Sequence, residues 1–359
     1  MATIVVLATG GTIAGRAASA GDAVAYQAAQ IGAQDLLHSV AGLPELLGGD
    51  TLEFEQLAQI NSKDMTFAVW QRLALRCAHW LDQPGVRAVV ITHGTDTLEE
   101  SAFFLQQALA CAPQASAWQG KAVILTCAMR PATARLADGP QNLADAIALA
   151  QNQQTHGVLV VAAGRVHAAT DVQKIHPYRL NAFSSGDAGP LAYMEEGQAR
   201  WMGTLPGWPQ PSSTQQARAL WQALAHTPPA QWPWVEVLHS HAGAHARALQ
   251  ALAQAGVQGV ILAATGNGTL HQELEQAAQV CMAQGLPVLL AARCTASAIV
   301  RGPASPPEPV PLALPACSKG VADLASPATV LPPSKARILL MLQILAQAGT
   351  MPPVSTPGS

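Results

Sequence analysis

One stretch near the start of the chain restricts the fold more than any other. It reads TIVVLATGGTIAG from Thr3 to Gly15. Residues 3–8 are apolar and rich in β-branched side chains, which is typical of a strand buried on both faces of a parallel sheet. Gly10 and Gly11 then allow a sharp turn and a close approach to a ligand. The turn presents Thr12 beyond the carboxyl end of the strand, where ligands bind in open parallel sheets.

The spacing of the glycines disfavours a nucleotide site. Gly10, Gly11 and Gly15 follow the pattern G-G-x-x-x-G, whereas dinucleotide-binding turns use G-x-G-x-x-G and P-loops continue into G-K-[ST]. Taken alone, Thr12 is better explained as a residue that caps a helix or closes a turn. Other parts of the chain have to decide between this structural role and a catalytic one.

Composition limits the classes of partner. Of the 359 residues, 50% are hydrophobic and only 11% are charged, so we expect much surface to be buried between the subunits of an oligomer. The net charge of -3, without a basic run, gives no footprint for nucleic acid. No apolar stretch approaches the roughly 20 residues that span a membrane. The chain has room for two domains.

The amino terminus and the cysteines indicate a cytoplasmic protein. No basic n-region with a cleavable apolar segment precedes the first strand. The cysteines lack C-x-x-C spacing, and we interpret them as reduced thiols, neither disulfides nor metal ligands. They are Cys77, Cys111, Cys127, Cys281, Cys294 and Cys317.

Strands and helices alternate through the first half of the chain. Further strands are predicted at 51–60, 86–92, 122–128 and 157–163, and helices at 35–47, 66–81, 98–110 and 141–151. The alternation predicts a doubly wound, flavodoxin-like α/β domain with a mostly parallel sheet at 1–196. Residues 16–34 lack clear periodicity, as expected of a lid beside a site. Tyr26 is the aromatic residue of this lid, and either packs it shut or hydrogen-bonds a bound group.

A smaller α/β unit follows a linker. At 197–233 the regular pattern gives way to Pro, Gly, Trp, Gln and Ser, which predicts a linker with one short helical piece near 215–225. Beyond it, strands are predicted at 234–238, 259–264 and 287–292, and helices at 244–255, 271–284 and 334–348. The predicted fold class is therefore α/β with two doubly wound domains. The second domain, at 234–350, is Rossmann-like, and 351–359 is predicted to be a disordered tail.

Polar side chains follow several of the predicted strands. They are Thr12, Ser62, Thr95, Asp96 and Thr269, with Lys174 in a loop after the fifth strand. Hydroxyls, a carboxylate and a lysine are the groups that acyl transfer through a threonine nucleophile needs. A hydroxyl attacks well once a base takes its proton, and a lysine can remove or relay that proton. Asp96 is placed either to orient the lysine or to bind a substrate ammonium group.

Six motifs in this order resemble the bacterial-type L-asparaginase family. They are TGGTIAG at 9–15, ITHGTDTLEE at 91–100, DVQKIH at 171–176, GPLAY at 189–193, GNGT at 266–269 and PSKARILL at 333–340. The resemblance implies a homotetramer of intimate dimers, each subunit with a larger and a smaller α/β domain. It also implies hydrolysis of L-asparagine to L-aspartate and ammonia through an acyl-enzyme, without cofactor or metal.

The resemblance also implies roles for individual residues. Thr12 would be the first nucleophile, supported by Tyr26 on the lid. Thr95, Asp96 and Lys174 would form a second catalytic group, with main-chain N–H groups near Thr95 available for the oxyanion.

The same resemblance implies how the substrate is held. Ser62 would bind its α-carboxylate and Asp96 its α-ammonium, with Thr95 in contact as well. Holding a zwitterion at both charges places the amide carbon against the hydroxyl.

Three departures from the family bear on specificity. Lys63 stands where many members carry glutamine, so either the substrate carboxylate gains a cationic partner or the site binds differently. Thr269 replaces an asparagine, and its hydroxyl still donates a hydrogen bond to substrate. The segment that brings an acidic residue from a neighbouring subunit is proline-rich here, with Glu308 as its candidate. The preference between asparagine and glutamine is left open.

Several of these residues also fit other interpretations. Thr97 and Glu100 have the spacing of a capping box, which leaves Thr95 and Asp96 available for other roles. His239, His241 and His245 suggest a metal-dependent amidohydrolase, although no H-E-x-x-H motif is present. A serine hydrolase lacks its G-x-S-x-G elbow. An amino-acid sensor without turnover, and an amidotransferase subunit acting on charged tRNA, are the remaining alternatives.

Overall fold

The structure is a computed structural model that divides into two compact units, Met1–Pro209 and Gln210–Ser359. It describes residues 1–19, 26–209, 213–296, 299–300 and 328–348. The limits predicted from sequence for the two domains and the linker stay predictions. The predicted tail at 351–359 lies outside the described residues.

A large sheet forms the centre of the first unit. The strands of this unit are β1 (Thr3–Gly10), β2 (Arg16–Ala17), β3 (Tyr26–Gln27), β4 (Thr51–Ile60), β5 (Val86–Thr92), β6 (Ala122–Thr126), β7 (Gly157–Ala162), β8 (Arg165–Ala168), β9 (Gln173–Lys174), β10 (Phe183–Ser184), β11 (Ala192–Glu195) and β12 (Gln198–Trp201). Eight of them form one sheet in the order β12-β11-β8-β7-β6-β5-β1-β4. Five of these strands run parallel to one another: β4, β1, β5, β6 and β7. Beyond β7, the strands β8, β11 and β12 follow in turn, each antiparallel to the strand before it.

Helices cover the apolar strands of this sheet. They are α1 (Ala33–His38), α2 (Leu43–Leu47), α3 (Phe67–Leu81), α4 (Leu98–Ala110) and α5 (Gly139–Gln151). Thr66 caps α3 by accepting a hydrogen bond from the N–H of Val69. The strands β5, β6 and β7 are buried almost throughout, because helices pack against them and exclude water. Their shared carboxyl end is where the polar turns lie.

A four-stranded parallel sheet forms the second unit. Its strands are β13 (Val235–His239), β14 (Gly259–Ala264), β15 (Val288–Ala292) and β16 (Ala328–Thr329), in that order, and its helices are α6 (Thr214–His226), α7 (Ala246–Gln254), α8 (Gln272–Ala283) and α9 (Pro333–Ala348). α7 and α8 pack on the face that carries Val260 and Leu262. α9 packs on the other face, where a Cβ on Gly259 would lie 2.8 Å from Leu340 Cδ2.

The predicted α/β class with two doubly wound domains is confirmed, and four details differ. The predicted helix at 35–47 is two helices, because Gly42 adopts a left-handed conformation between them. The antiparallel strands β8, β11 and β12 were not predicted. The segment predicted as a linker contains the unpredicted strand β12, and its predicted helical piece near 215–225 is α6. Within the predicted lid, β2 and β3 pair as a short antiparallel ladder.

In the described residues no helix is both long and apolar enough to cross a membrane.

Candidate active site

The first threonine turn begins where β1 ends. Gly11 has φ +82, a left-handed value that side chains rarely adopt, and its N–H donates to the carbonyl of Ile60 at 2.9 Å. A short 3₁₀ helix, Thr12–Ala14, follows directly. Thr12 is therefore buried to 8% exposure at the carboxyl end of the sheet, where a ligand is expected in such folds.

A second threonine turn touches the first through two glycines. A Cβ on Gly11 would overlap the main chain of Gly94, and one on Gly94 would lie 2.8 Å from the Cβ of Ser62. Because neither position has room for a side chain, the turns after β1 and β5 approach at main-chain contact. Thr12 and Thr95, which follow these glycines, flank the point of contact.

Tyr26 meets Thr12, as the family resemblance implies. The tyrosine hydroxyl lies 2.6 Å from Thr12 Oγ1. β3, which carries Tyr26, pairs with β2, and the N–H of Ala29 donates to the carbonyl of Gly11 at 3.0 Å. The chain around Tyr26 is thus tied back to the turn that bears Thr12. The phenol is a neutral partner that can donate to, or accept from, the threonine hydroxyl.

Lys174 joins Thr95 and Asp96. Its Nζ donates to Thr95 Oγ1 at 2.8 Å and to Asp96 Oδ1 at 2.7 Å. The lysine side chain is 17% exposed, whereas that of Asp96 is 50% exposed. Asp96 therefore keeps a side open to solvent from which a cationic group can approach. The structure brings together the three residues predicted as the second catalytic group.

Ser62 is held by the same turn. It is buried at the start of the 3₁₀ helix Ser62–Asp64, and its Oγ accepts the N–H of Asp96 at 3.1 Å. Its carbonyl accepts the Thr97 hydroxyl at 2.8 Å. The capping box predicted for Thr97 and Glu100 is wrong, because the Thr97 side chain forms no cap hydrogen bond to α4 and donates to Ser62 instead.

The other two predicted substrate-binding residues, Lys63 and Thr269, contact residues outside this group. Lys63 is exposed, and its Nζ lies 2.6 Å from Asp64 Oδ2. Thr269 belongs to the second unit, where its hydroxyl donates to the carbonyl of Thr265 at 2.9 Å. The predicted contacts of both residues with substrate stay predictions. Glu308 lies outside the described residues.

His93 supports the second turn and was missed from the sequence. Its Nδ1 lies 2.7 Å from the Gly94 carbonyl oxygen, an acceptor, so Nδ1 carries the proton. Burial lowers the pKa of His93 from 6.5 to about 4. Its Nε2 is buried without a hydrogen-bond partner in the described part of the chain. The residue is a neutral donor that fixes the carbonyl of Gly94.

Glu99 is another functional candidate that the sequence did not reveal. It lies in the first turn of α4, and its Oε2 accepts the main-chain N–H of Lys174. This contact joins residues 75 positions apart. The acidic residue alone gives no signal in the sequence, because an acidic residue in a first helical turn is common.

The histidines that suggested a metal site lie apart from any ligand cluster. His245 Nδ1 lies 3.1 Å from Glu273 Oε2, and the Nδ1 of His241 lies 2.9 Å from the carbonyl of Ala242. Across the described ranges, no group of three His, Cys, Asp or Glu side chains is arranged to hold a metal.

The cysteines of the described residues are free thiols. Cys77, Cys111, Cys127 and Cys281 are buried and Cys294 is exposed. Burial raises the pKa of Cys111 to about 12, so this thiol stays protonated. Cys317 lies outside the described residues.

Together these contacts present two buried hydroxyls at adjoining turns. One contacts a phenol and the other an ammonium group that is paired with a carboxylate. These groups can supply a nucleophile and move protons, and acyl transfer needs both functions.

Two family models match the chain. The model described as Asparaginase, N-terminal, matches residues 3–206, and the Glutaminase/Asparaginase C-terminal domain matches residues 234–351. The two matches cover most of the chain, and they confirm the family resemblance of the sequence motifs.

Individual relatives agree with the family models. Glutaminase-asparaginase of Pseudomonas fluorescens biotype A is 34% identical over 318 residues, which are 86% of this chain and 80% of that protein. L-asparaginase 2 of Escherichia coli strain K12 is 34% identical over 273 residues, 76% of this chain and 72% of that protein. The crystal structure of a probable cytoplasmic L-asparaginase from Campylobacter jejuni matches with a TM-score of 0.76 and 29% identity, covering 97% of this chain and 99% of that one. The chain therefore belongs to the bacterial-type asparaginase family.

Proposed function

We propose that this protein is a cytoplasmic L-asparaginase that hydrolyses L-asparagine to L-aspartate and ammonia through a threonyl acyl-enzyme, without a cofactor. One observation carries the proposal: Lys174 Nζ lies 2.8 Å from Thr95 Oγ1 and 2.7 Å from Asp96 Oδ1, beside the turn that bears Thr12. The names of the relatives support the substrate, and the Campylobacter jejuni protein supports the location. A homotetramer is the expected assembly.

In the first half of the reaction, Thr12 attacks the side-chain amide. Its Oγ forms a bond to the amide carbon, the carbon–nitrogen bond breaks, and the threonine proton leaves on ammonia. The Tyr26 hydroxyl, 2.6 Å from Thr12 Oγ1, orients the nucleophile before the attack. The product of this half is an aspartyl ester of Thr12.

In the second half, water hydrolyses that ester. The water oxygen bonds to the acyl carbon, and Thr12 leaves with a proton that comes from the water. Lys174 donates to the oxygen of Thr95, so the hydroxyl proton of Thr95 is available to a third group. Thr95 can therefore donate to the leaving nitrogen and later pass a proton from the water.

The amino-acid head of the substrate is held at both charges. Ser62 Oγ already accepts the N–H of Asp96, so its own proton is directed to the α-carboxylate. The exposed side of Asp96 receives the α-ammonium. Lys63 would reach the carboxylate by leaving Asp64. Restraint at both charges removes part of the entropic barrier.

Ammonia release tests the proposal. The purified protein is assayed with L-asparagine, D-asparagine, L-glutamine and short aliphatic amides, beside Thr12→Val. Thr3→Val is the matched control, because Thr3 starts the same strand and its hydroxyl contacts Thr51 outside the site. We expect ammonia from L-asparagine with the wild type and with Thr3→Val, and none above background with Thr12→Val. Binding of L-asparagine without ammonia would contradict the proposal and favour a sensor.

Two further measurements test a metal-dependent mechanism and the range of substrates. Activity that is lost in EDTA and restored by zinc would favour a metal-dependent amidohydrolase. Glutaminase activity is favoured by the relative named glutaminase-asparaginase. We therefore expect some ammonia from L-glutamine, at a lower rate than from L-asparagine.

A further inference from the structure

The main chain around Lys174 lies outside the large sheet. β9 and β10 form a separate ladder of two residues each, in which Lys174 pairs with Phe183. Neighbouring main-chain bonds, from Val172 to the carbonyl of Ala168 and from Ile175 to the carbonyl of Ala182, tie the loop to its own surroundings. None of these three contacts fixes the position of Lys174 relative to Thr95 and Asp96, which lie just before α4.

Glu99 makes a contact that fixes this relative position. It lies four residues after Thr95 and three after Asp96, and its carboxylate accepts the main-chain N–H of Lys174. A carboxylate that accepts an amide N–H forms a charge-assisted hydrogen bond, which is among the stronger kinds in proteins. The start of α4 thus holds Lys174 at two places: the main chain through Glu99 and the ammonium group through Thr95 and Asp96.

We propose that Glu99 is a positioning residue that holds the Lys174 main chain so that its amine stays between Thr95 and Asp96 during turnover. This role rests on the proposed function for its catalytic consequence. Protons move at the lysine amine and the threonine hydroxyls during the reaction, so those hydrogen bonds change. The bond from the Lys174 main chain to Glu99 involves no reacting atom, and it persists through both halves of the reaction.

A simpler role for Glu99 is stabilisation of α4. An acidic residue in the first turn interacts favourably with the helix dipole, whatever else it contacts. Glu100 lies in the same turn and carries the same charge, so it separates the two roles. If the dipole alone mattered, removing either carboxylate would have a similar effect on activity.

Three variants test the positioning role: Glu99→Ala, Glu99→Gln and the matched control Glu100→Ala. The glutamine retains a carbonyl oxygen that accepts the Lys174 N–H, whereas the alanine does not. Two readouts are taken on the full chain. The first is kcat and KM for L-asparagine, and the second is hydrogen exchange of the Lys174 amide, followed by mass spectrometry of peptides that span the loop.

We expect Glu99→Ala to lower kcat roughly 30-fold with KM changed less than about threefold, since small displacements in a site cost rate more than binding. Exchange of the Lys174 amide should accelerate at least about tenfold. Glu99→Gln should recover most of kcat and of the protection, and Glu100→Ala should resemble the wild type in both.

Unchanged exchange in Glu99→Ala would overturn the proposal, as would unchanged kcat with faster exchange, or a loss in Glu100→Ala equal to that in Glu99→Ala. If Glu99→Ala does not fold, failure of Glu99→Gln to keep the Lys174 amide protected overturns it as well. A wild type that releases no ammonia from L-asparagine would contradict the proposed function, and the exchange measurement would still decide whether Glu99 holds Lys174.

Discussion

The two threonine turns resemble each other in sequence and burial and differ in their partners. Thr12 and Thr95 each follow a glycine beyond a buried parallel strand, and both are less than 10% exposed. Thr12 contacts the neutral phenol of Tyr26, which stands on a ladder of two residues. Thr95 contacts the ammonium group of Lys174, which is paired with Asp96 and tied to α4 through Glu99.

In the proposed mechanism, this difference corresponds to a division of labour. The oxygen of the nucleophile changes its bonding when it becomes part of an ester, and a phenol, which can both donate and accept, can follow that change. A group that serves both halves of the reaction has to keep its geometry while charge moves near it. The sheet positions two similar hydroxyls. In the proposed mechanism, their roles differ because Tyr26 contacts one and Lys174 the other.

The largest expected effect is loss of either reactive group. Thr12→Val and Lys174→Met should each lower kcat by roughly 10³- to 10⁵-fold, because each removes a group that the proposed chemical step uses. The double variant should be little worse than the poorer single variant, since residues that act as a unit are not additive. Steady-state ammonia release measures all three. Full additivity would mean that the two turns act independently.

A smaller loss is expected when the two turns are forced apart. In Gly94→Ala the new Cβ would lie 2.8 Å from the Cβ of Ser62 and against the main chain of Gly11. We expect kcat/KM to fall at least about 100-fold, as for a displacement of about 1 Å in a site. Gly85→Ala is the control, because beyond its two chain neighbours no atom of the described residues lies within 4 Å of the added Cβ. Equal activity in the two variants would refute the close contact.

Removal of the phenol hydroxyl tests the first turn alone. Tyr26→Phe keeps the ring and loses the hydrogen bond to Thr12, which is expected to lower kcat by about 10- to 100-fold. Tyr193→Phe is the control, since Tyr193 lies on β11, away from both turns, against Arg200. A pre-steady-state assay should place the loss of Tyr26→Phe in acyl-enzyme formation. A loss confined to hydrolysis of the ester would contradict the division of labour.

The smallest expected effect concerns stability at acid pH, and it belongs to the second turn. The pKa of His93 is lowered from 6.5 to about 4, so the unfolded chain binds a proton below pH 6.5 and the folded chain does not. Stability is therefore lost as the pH falls from 6.5 towards 4, by about 2 kcal/mol between pH 7 and pH 5.

His93→Asn isolates that contribution. The asparagine can donate to the Gly94 carbonyl and does not titrate in this range. Urea unfolding at pH 7 and pH 5 should show a smaller acid loss in the variant than in the wild type. An identical loss in both proteins would contradict the buried neutral state of His93.

The parallel core could be predicted because burial on both faces leaves a clear pattern. β1, β5 and β7 are short apolar runs, each followed by a turn, and the helices between them are periodic. β11 and β12 were missed because they are short and partly exposed, so neither period nor composition marks them. The break between α1 and α2 depends on the left-handed Gly42, which a glycine in a helical stretch does not by itself imply.

The site could be predicted as a set of residues and not as a set of contacts. Thr12, Thr95 and Lys174 stand in motifs that resemble a family. The supporting roles of Glu99 and His93 follow from tertiary hydrogen bonds, which local spacing does not encode. The spacing of Thr97 and Glu100 suggested a capping box, but the hydroxyl of Thr97 donates to the carbonyl of Ser62, which follows a different strand, β4.

The identity of the acylated residue tests the central claim most directly. The wild type and the slow variant Lys174→Met are each mixed with L-asparagine, quenched in acid after times from milliseconds to hours, digested and examined by peptide mass spectrometry. We predict an aspartyl adduct on the peptide that contains Thr12, with fragment ions that place it on that residue. An adduct on Thr95, or turnover by the wild type with no adduct on Thr12 at any time, would contradict the account.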